Sequence, residues 1–221
     1  MPIDGERASN EPGAAHFEDA GQERQAHLAG MWLFLATELL LFGGLFCAYA
    51  VYRVSYGPAF AAAAGELDLK LGAINTAILI TSGLAMALTE PAMAAGRRRA
   101  ALTLLATTGA LALVFLSIKG LEYHHEIGKG LAPLPGLAFR YDGPRPEQAE
   151  MFFNFYFAMT GLHALHMAIG VGLIGWMAAR IARWRRPAKL ERRLRIVGLY
   201  WAFVDAVWLL LFPTLYLLRG G

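Results

Sequence analysis

Glu38 stands alone in the apolar run Met31–Tyr52, MWLFLATELLLFGGLFCAYAVY. A carboxylate at that depth is costly unless protein or water receives it. Its chemistry is either proton exchange or a hydrogen bond that fixes the rotation of its helix, and the sequence leaves both open. Asp205 lies a comparable distance into the last apolar run. At about 1.5 Å per helical residue, both carboxylates sit roughly 15 Å from the same membrane face. A proton-relay or lipid-binding group is one reading of Asp205; a structural hydrogen bond is the preferred one. His163 and His166 are three residues apart and share one helix face,. Such a pair could ligate a metal or haem, but a redox centre draws further His, Met or Cys ligands from other segments. Interior histidines bonded to neighbouring helices or to a lipid headgroup are therefore the preferred reading. Lys119, Glu122, His124, His125 and Glu126 form a further polar cluster. Zinc is one reading of it. Adjacent histidines at a helix end diverge, so a polar cap at the membrane boundary is preferred.

The elements that must position these residues are long and apolar. The 221 residues are 57% hydrophobic and 17% charged. Five stretches, at about 28–52, 69–89, 100–118, 151–179 and 196–218, reach the roughly 20 residues needed to cross a hydrocarbon core about 30 Å thick. The fold class is an all-α integral membrane protein: one domain, a bundle of five transmembrane helices over 26–221, preceded by a flexible tail at 1–25. Residues 1–27 have no short apolar core with a cleavage site, so the first span serves as the insertion signal.

The formal net charge of +3 is distributed by side. Thirteen Lys and Arg fall in the tail and in alternate connections, against seven on the other side. The positive-inside rule places the N-terminus in the cytoplasm and the C-terminus in the periplasm. The arginine-rich fourth connection then reads as a cytoplasmic loop near anionic headgroups, with no nucleic-acid role. The single cysteine, Cys47, excludes an internal disulfide,.

Helices in lipid associate through close backbone approach. Ala164, Ala168 and Gly172, and likewise Gly44 and Ala48, predict contact faces. Trp32, Tyr49, Tyr52, Tyr200, Trp201 and Tyr216 lie near span ends and read as headgroup-level rings. Asn75, Thr76 and Thr160 predict interhelical hydrogen bonds.

In order along the chain, WLFLATELLLFGG, GAINTAILITSG, KGLEYHHEI, TGLHALHMAIG and YWAFVDAVWLLLF resemble the motifs of haem–copper oxidase subunit III, in its short five-helix bacterial form. The resemblance runs from Leu28 to Leu218. It implies a non-redox subunit packed on catalytic subunit I of a proton-translocating cytochrome c oxidase with its subunit II, in the bacterial plasma membrane. It implies that this chain binds no haem or copper, those belonging to partner subunits, and that it holds structural phospholipid. It assigns Glu38 to the family's carbodiimide-reactive buried carboxylate. His163 and His166 match its TGxHxxH element, Glu122 its EY motif, and Trp201, Asp205 and Trp208 its YWxFVDxVW element; these six are expected to be structural or lipid-binding. Many members carry His where this chain has Ala202. The FPTLYLL ending and the start of the fourth span also resemble accessory proteins of nitric oxide reductase, and a quinol oxidase subunit III fits as well. From other classes, an ion-coupled carrier would predict internal repeats and helices broken near the midplane. A membrane metalloenzyme would use His163 and His166.

Overall fold

A backbone amide in lipid has no water to bond, so each apolar run closes its own hydrogen bonds as a helix. The structure, a computed structural model, describes residues 20–133, 139–183 and 188–218. Its helices are α1 (Ala20–Ser55), α2 (Gly57–Gly65), α3 (Leu69–Ala94), α4 (Arg98–Gly128), α5 (Pro146–Arg183) and α6 (Ala188–Phe212). A π-helical turn, Pro213–Leu217, ends the last span. Five of these helices are long and apolar enough to cross a membrane. Among the described residues there is no strand.

The boundaries follow from local chemistry. Asp68 caps α3, its Oδ1 accepting from the amides of Lys70 at 2.8 Å and Leu71 at 3.2 Å,. At the far end, Gly96 takes φ +69°, and the amides of Gly96 and Arg97 return to the carbonyls of Met93 and Ala92. The same left-handed closure at Gly130 ends α4, with Leu131 bonding back to Glu126,. Arg98 then closes a different helix: its guanidinium donates to the carbonyls of Ile181 (2.9 Å) and Ala182, where the last turn of α5 leaves carbonyls without amide partners,.

Several expectations need correction. Helix α4 runs past the expected end at 118 to Gly128, so Lys119, Glu122 and Glu126 are buried on a helix rather than forming a cap at its end. The first connection holds a short helix, α2, whose Ala59, Phe60, Ala63 and Ala64 are buried. Helix α1 begins at Ala20, inside the expected tail; residues 1–19 of that tail, with Pro135 and Gly136 of the third loop, lie outside the described residues.

The small-residue faces are also misplaced. Ala168, Gly172 and Gly44 are exposed, and a Cβ added at Gly44 or Gly172 would meet nothing within 4 Å. Close approach happens elsewhere. A Cβ at Gly170 would lie 2.7 Å from Cζ3 of Trp201, and one at Gly72 would lie 3.0 Å from Phe212 and Tyr216. Tyr49, Tyr200, Trp201 and Tyr216, expected at the headgroups, are core residues, whereas Trp32 is exposed. Ser82 and Thr108 cross-link α3 and α4, each hydroxyl reaching the other's carbonyl at 3.4 Å.

Helix α1 is the least enclosed span. Its most apolar window is 6% buried, against 28–39% for the others. Polar contacts tie it to the bundle: Tyr49 Oη donates to the Thr214 carbonyl at 3.0 Å and Arg53 to that of Leu218 at 2.5 Å.

Candidate functional site

Two buried polar centres lie along α5. The first joins α1 to α5. Nε2 of His166 is 3.0 Å from Oε2 of Glu38, and Nδ1 of His166 is 2.8 Å from the Leu162 carbonyl. A carbonyl only accepts, so Nδ1 carries a hydrogen. The Nε2–Oε2 contact then holds one proton, shared in either of two ways: imidazolium with carboxylate, or imidazole with carboxylic acid. Both arrangements are neutral overall, which is how Glu38 is accommodated in an apolar helix. Phe42 packs against the His166 ring at 5.4 Å, and Tyr200 Oη donates to the His166 carbonyl.

The second centre lies further toward the N-terminal end of α5, against α4. Lys119 and Glu122 are one turn apart, with side chains 4% and 2% exposed. Nζ of Lys119 donates to Glu122 Oε2 at 3.0 Å, to Tyr156 Oη at 3.0 Å and to Tyr216 Oη at 2.9 Å. Both tyrosine hydroxyls in turn donate to Glu122 Oε1, at 3.0 and 2.5 Å. All three ammonium hydrogens and both carboxylate oxygens are used. A buried ion pair is tolerated only with such complete satisfaction. Tyr123 Oη meets Thr160 Oγ1 at 2.5 Å; because Thr160 donates to the Tyr156 carbonyl, Tyr123 donates to Thr160. Beyond this centre, buried Glu126 faces Lys129 at 3.6 Å, and Lys129 also reaches Glu66.

His163 lies between the two centres, 1% exposed, with neither ring nitrogen hydrogen-bonded. Its ring lies 5.3 Å from Trp208 and 5.7 Å from Phe115. Trp208 packs edge-on to Phe115 at 4.7 Å and donates Nε1–H to Thr76 Oγ1 at 3.0 Å. Trp201 fills the space left by Gly170. The i, i+3 histidines therefore serve different neighbours and do not converge on one ligand. His124 and His125 are exposed, and among the described residues no group of three His, Cys, Asp or Glu could hold a metal.

Asp205 is not part of either centre. Although Phe34 and Phe42 of α1 pack near Tyr200 and Phe203, putting Glu38 level with that part of α6, the Asp205 carboxyl turns to α3. Its Oδ2 lies against Gly83, in the space a Cβ there would fill, and its Oδ1 has no hydrogen-bond partner.

Lys119 reads from sequence only as part of a polar cap, Tyr216 only as a headgroup-level ring, and Tyr156 is not singled out at all. The i, i+3 spacing of Lys119 and Glu122 was the available signal for the first. Nothing local marks the two tyrosines as partners of that pair; they arrive from 34 and 94 residues beyond Glu122.

The family model for cytochrome c oxidase subunit III matches residues 20–127 and 148–219. Among relatives, a cytochrome bo(3) ubiquinol oxidase subunit 3 from Pseudomonas putida is 29% identical over 88% of this chain and 86% of its own. A cytochrome c oxidase subunit 3 from Thermostichus vulcanus is 31% identical over 91% of this chain and 92% of its own. A heme-copper oxidase subunit I+III from Aeropyrum pernix is 32% identical over 86% of this chain and 22% of its own. The matched segments include all five long helices and both polar centres, and the chain belongs to the cytochrome c oxidase subunit III family of the haem–copper oxidases, cytochrome c and quinol oxidases alike.

Proposed function

We propose that the chain is the non-redox subunit III of a bacterial proton-translocating cytochrome c oxidase, seated against catalytic subunit I in the plasma membrane with its N-terminus in the cytoplasm. Haem and copper reside in subunits I and II, and electrons do not pass through this chain. Its contribution to oxygen reduction is indirect: it stabilises subunit I, holds phospholipid between its helices and supports proton uptake. The Aeropyrum relative, whose printed name joins subunits I and III, supports subunit I as the direct neighbour.

The observation that carries the proton-linked part is the Glu38–His166 contact at 3.0 Å. The shared proton can sit on either side of it without a net charge appearing, so the pair can exchange a proton at little electrostatic cost. Glu38 keeps 17% of its side chain exposed, which leaves the carboxyl reachable from outside the chain. Carbodiimide labelling of the purified complex tests this reading. Glu38→Gln is expected to abolish the label on this chain, leave assembly intact and change proton-uptake kinetics during turnover. Unchanged kinetics in that variant would remove the proton-linked role while leaving the subunit assignment standing.

A quinol oxidase is the second reading, favoured by the Pseudomonas relative. A copper-binding domain in the co-purifying subunit II supports cytochrome c as the donor; its lack supports quinol.

A further inference from the structure

Between α3 and α6 an apolar groove of about 490 Å³ opens on the outside of the bundle. Gly83 and Ala87 line it from α3, and Gly198, Ala202 and Ala206 from α6, the last three at successive i+4 positions on one helix face,. Ala87, Ala202 and Ala206 are exposed. Along α6 from Leu194 to Leu209 the groove runs about 22 Å,. That is most of a hydrocarbon core about 30 Å thick.

Asp205 sets this groove apart from a lipid-facing furrow. It lines the groove and is half-buried. Its Oδ1 is enclosed, but its Oδ2 rests on Gly83, which also lines the groove, and among the described residues nothing donates to the carboxyl. Asp205 lies ten residues along α6 from Arg195, about 15 Å into the span,. An ionisable side chain at such depth faces protein or water and pairs with another polar group. Glu38 meets this demand at His166, and Glu122 at Lys119. Asp205 meets it only if protein covers the open side of the groove. The cation that lines the groove does not serve, because Arg195 lies a full 15 Å away and donates to Glu90 Oε1 at 2.9 and 2.6 Å,. An acyl chain offers no donor and would lay methylenes against a carboxylate.

We propose that the groove seats a membrane-spanning helix of a partner subunit, which presents a basic side chain to Oδ2 of Asp205. Such a seat presupposes that the chain works as subunit III, and it assigns a face by which the chain meets a neighbour. The glycine and alanine walls let the partner backbone come close, which is how helices gain contact in lipid. The carboxylate and the partner's cation neutralise each other, so neither is left charged against hydrocarbon.

The test uses the intact complex from native membranes, with Leu209, a groove residue 47% exposed, replaced by the photo-crosslinker p-benzoylphenylalanine. Irradiation is expected to join this chain to a membrane-spanning segment of a co-purifying subunit, identified by mass spectrometry, with a Lys, Arg or His within two helical turns of the adduct. Asp205→Asn keeps the shape of the side chain and removes its charge. It is expected to speed release of this chain during detergent washing at least about tenfold, because the partner's cation is left buried without its counter-charge. Adducts with lipid alone, or none, in a complex that still carries its haem-bearing subunit would overturn the proposal and leave the subunit III role standing. A cross-linked segment with no basic residue in that window, or an Asp205→Asn chain released no faster than the parent, would overturn it as well. A chain recovered without any haem-bearing partner would remove the subunit III role and the proposal with it.

Discussion

The ammonium of Lys119 and the carboxylate of Glu122 lie 3.0 Å apart, almost fully enclosed, and the same two tyrosine hydroxyls bond to both. Tyr156 comes from α5 and Tyr216 from the π-helical turn, so one neutral cluster on α4 pins three segments together. Removing one charge leaves the other buried without a partner. Glu122→Leu alone is expected to cost about 3–5 kcal/mol, and the double replacement Lys119→Met with Glu122→Leu to recover most of it. Thermal unfolding of the purified complex reads both. A double variant as unstable as the sum of the two singles would mean that the ion pair is not a coupled unit.

Glycines of the same helix should separate by what faces them. Gly170 lies against the Trp201 ring, whereas Gly172 faces open space in this chain. Gly170→Ala is expected to lower stability by about 1–3 kcal/mol through overpacking. Gly172→Ala is expected to be neutral or to gain up to about 1 kcal/mol from helix propensity. The comparison is made by thermal melts of the two variants side by side. An equal loss at both positions would restore the Ala164–Ala168–Gly172 stripe as a packing face, supplied with a neighbour by the partner subunit.

Attachment of α1 depends on few polar contacts, so conservative and non-conservative changes at Glu38 should diverge. Glutamine places an amide donor at the same reach from Nε2 of His166 and is expected to keep the helix in place. Leucine removes the contact and leaves the imidazole without its partner, at a cost of about 1–3 kcal/mol. Tyr49→Phe, which loses the bond to the Thr214 carbonyl, is expected to add about 1 kcal/mol more,. Retention of the subunit during detergent washing of the complex measures these differences. Glutamine and leucine variants lost at the same rate would show that the Glu38–His166 bond does not hold α1.

What was legible in the sequence was whatever depends on local composition. Five apolar runs gave five spans because a membrane-crossing segment has no other way to satisfy its backbone,. Glu38 and the two histidines stood out because an ionisable group among apolar residues is rare without cause. Their pairing was not legible: equal depth suggested Asp205 as company for Glu38, yet helix rotation turns the two carboxyls to His166 and Gly83. Rotation also decided which glycines pack, choosing Gly170 over Gly172 two residues away. Aromatic residues near span ends were read as headgroup rings because position along a helix is visible in sequence and radial position is not. The meeting of Tyr156 and Tyr216 with Lys119 and Glu122 stayed hidden for the reason that makes the cluster stable: its members come from three distant segments.

An optical spectrum of the affinity-tagged chain purified from native membranes tests the central claim most directly. Membership of an intact oxidase predicts co-purifying haem with a reduced-minus-oxidised spectrum, together with a larger catalytic subunit. A colourless protein recovered alone under conditions that preserve membrane complexes would contradict it.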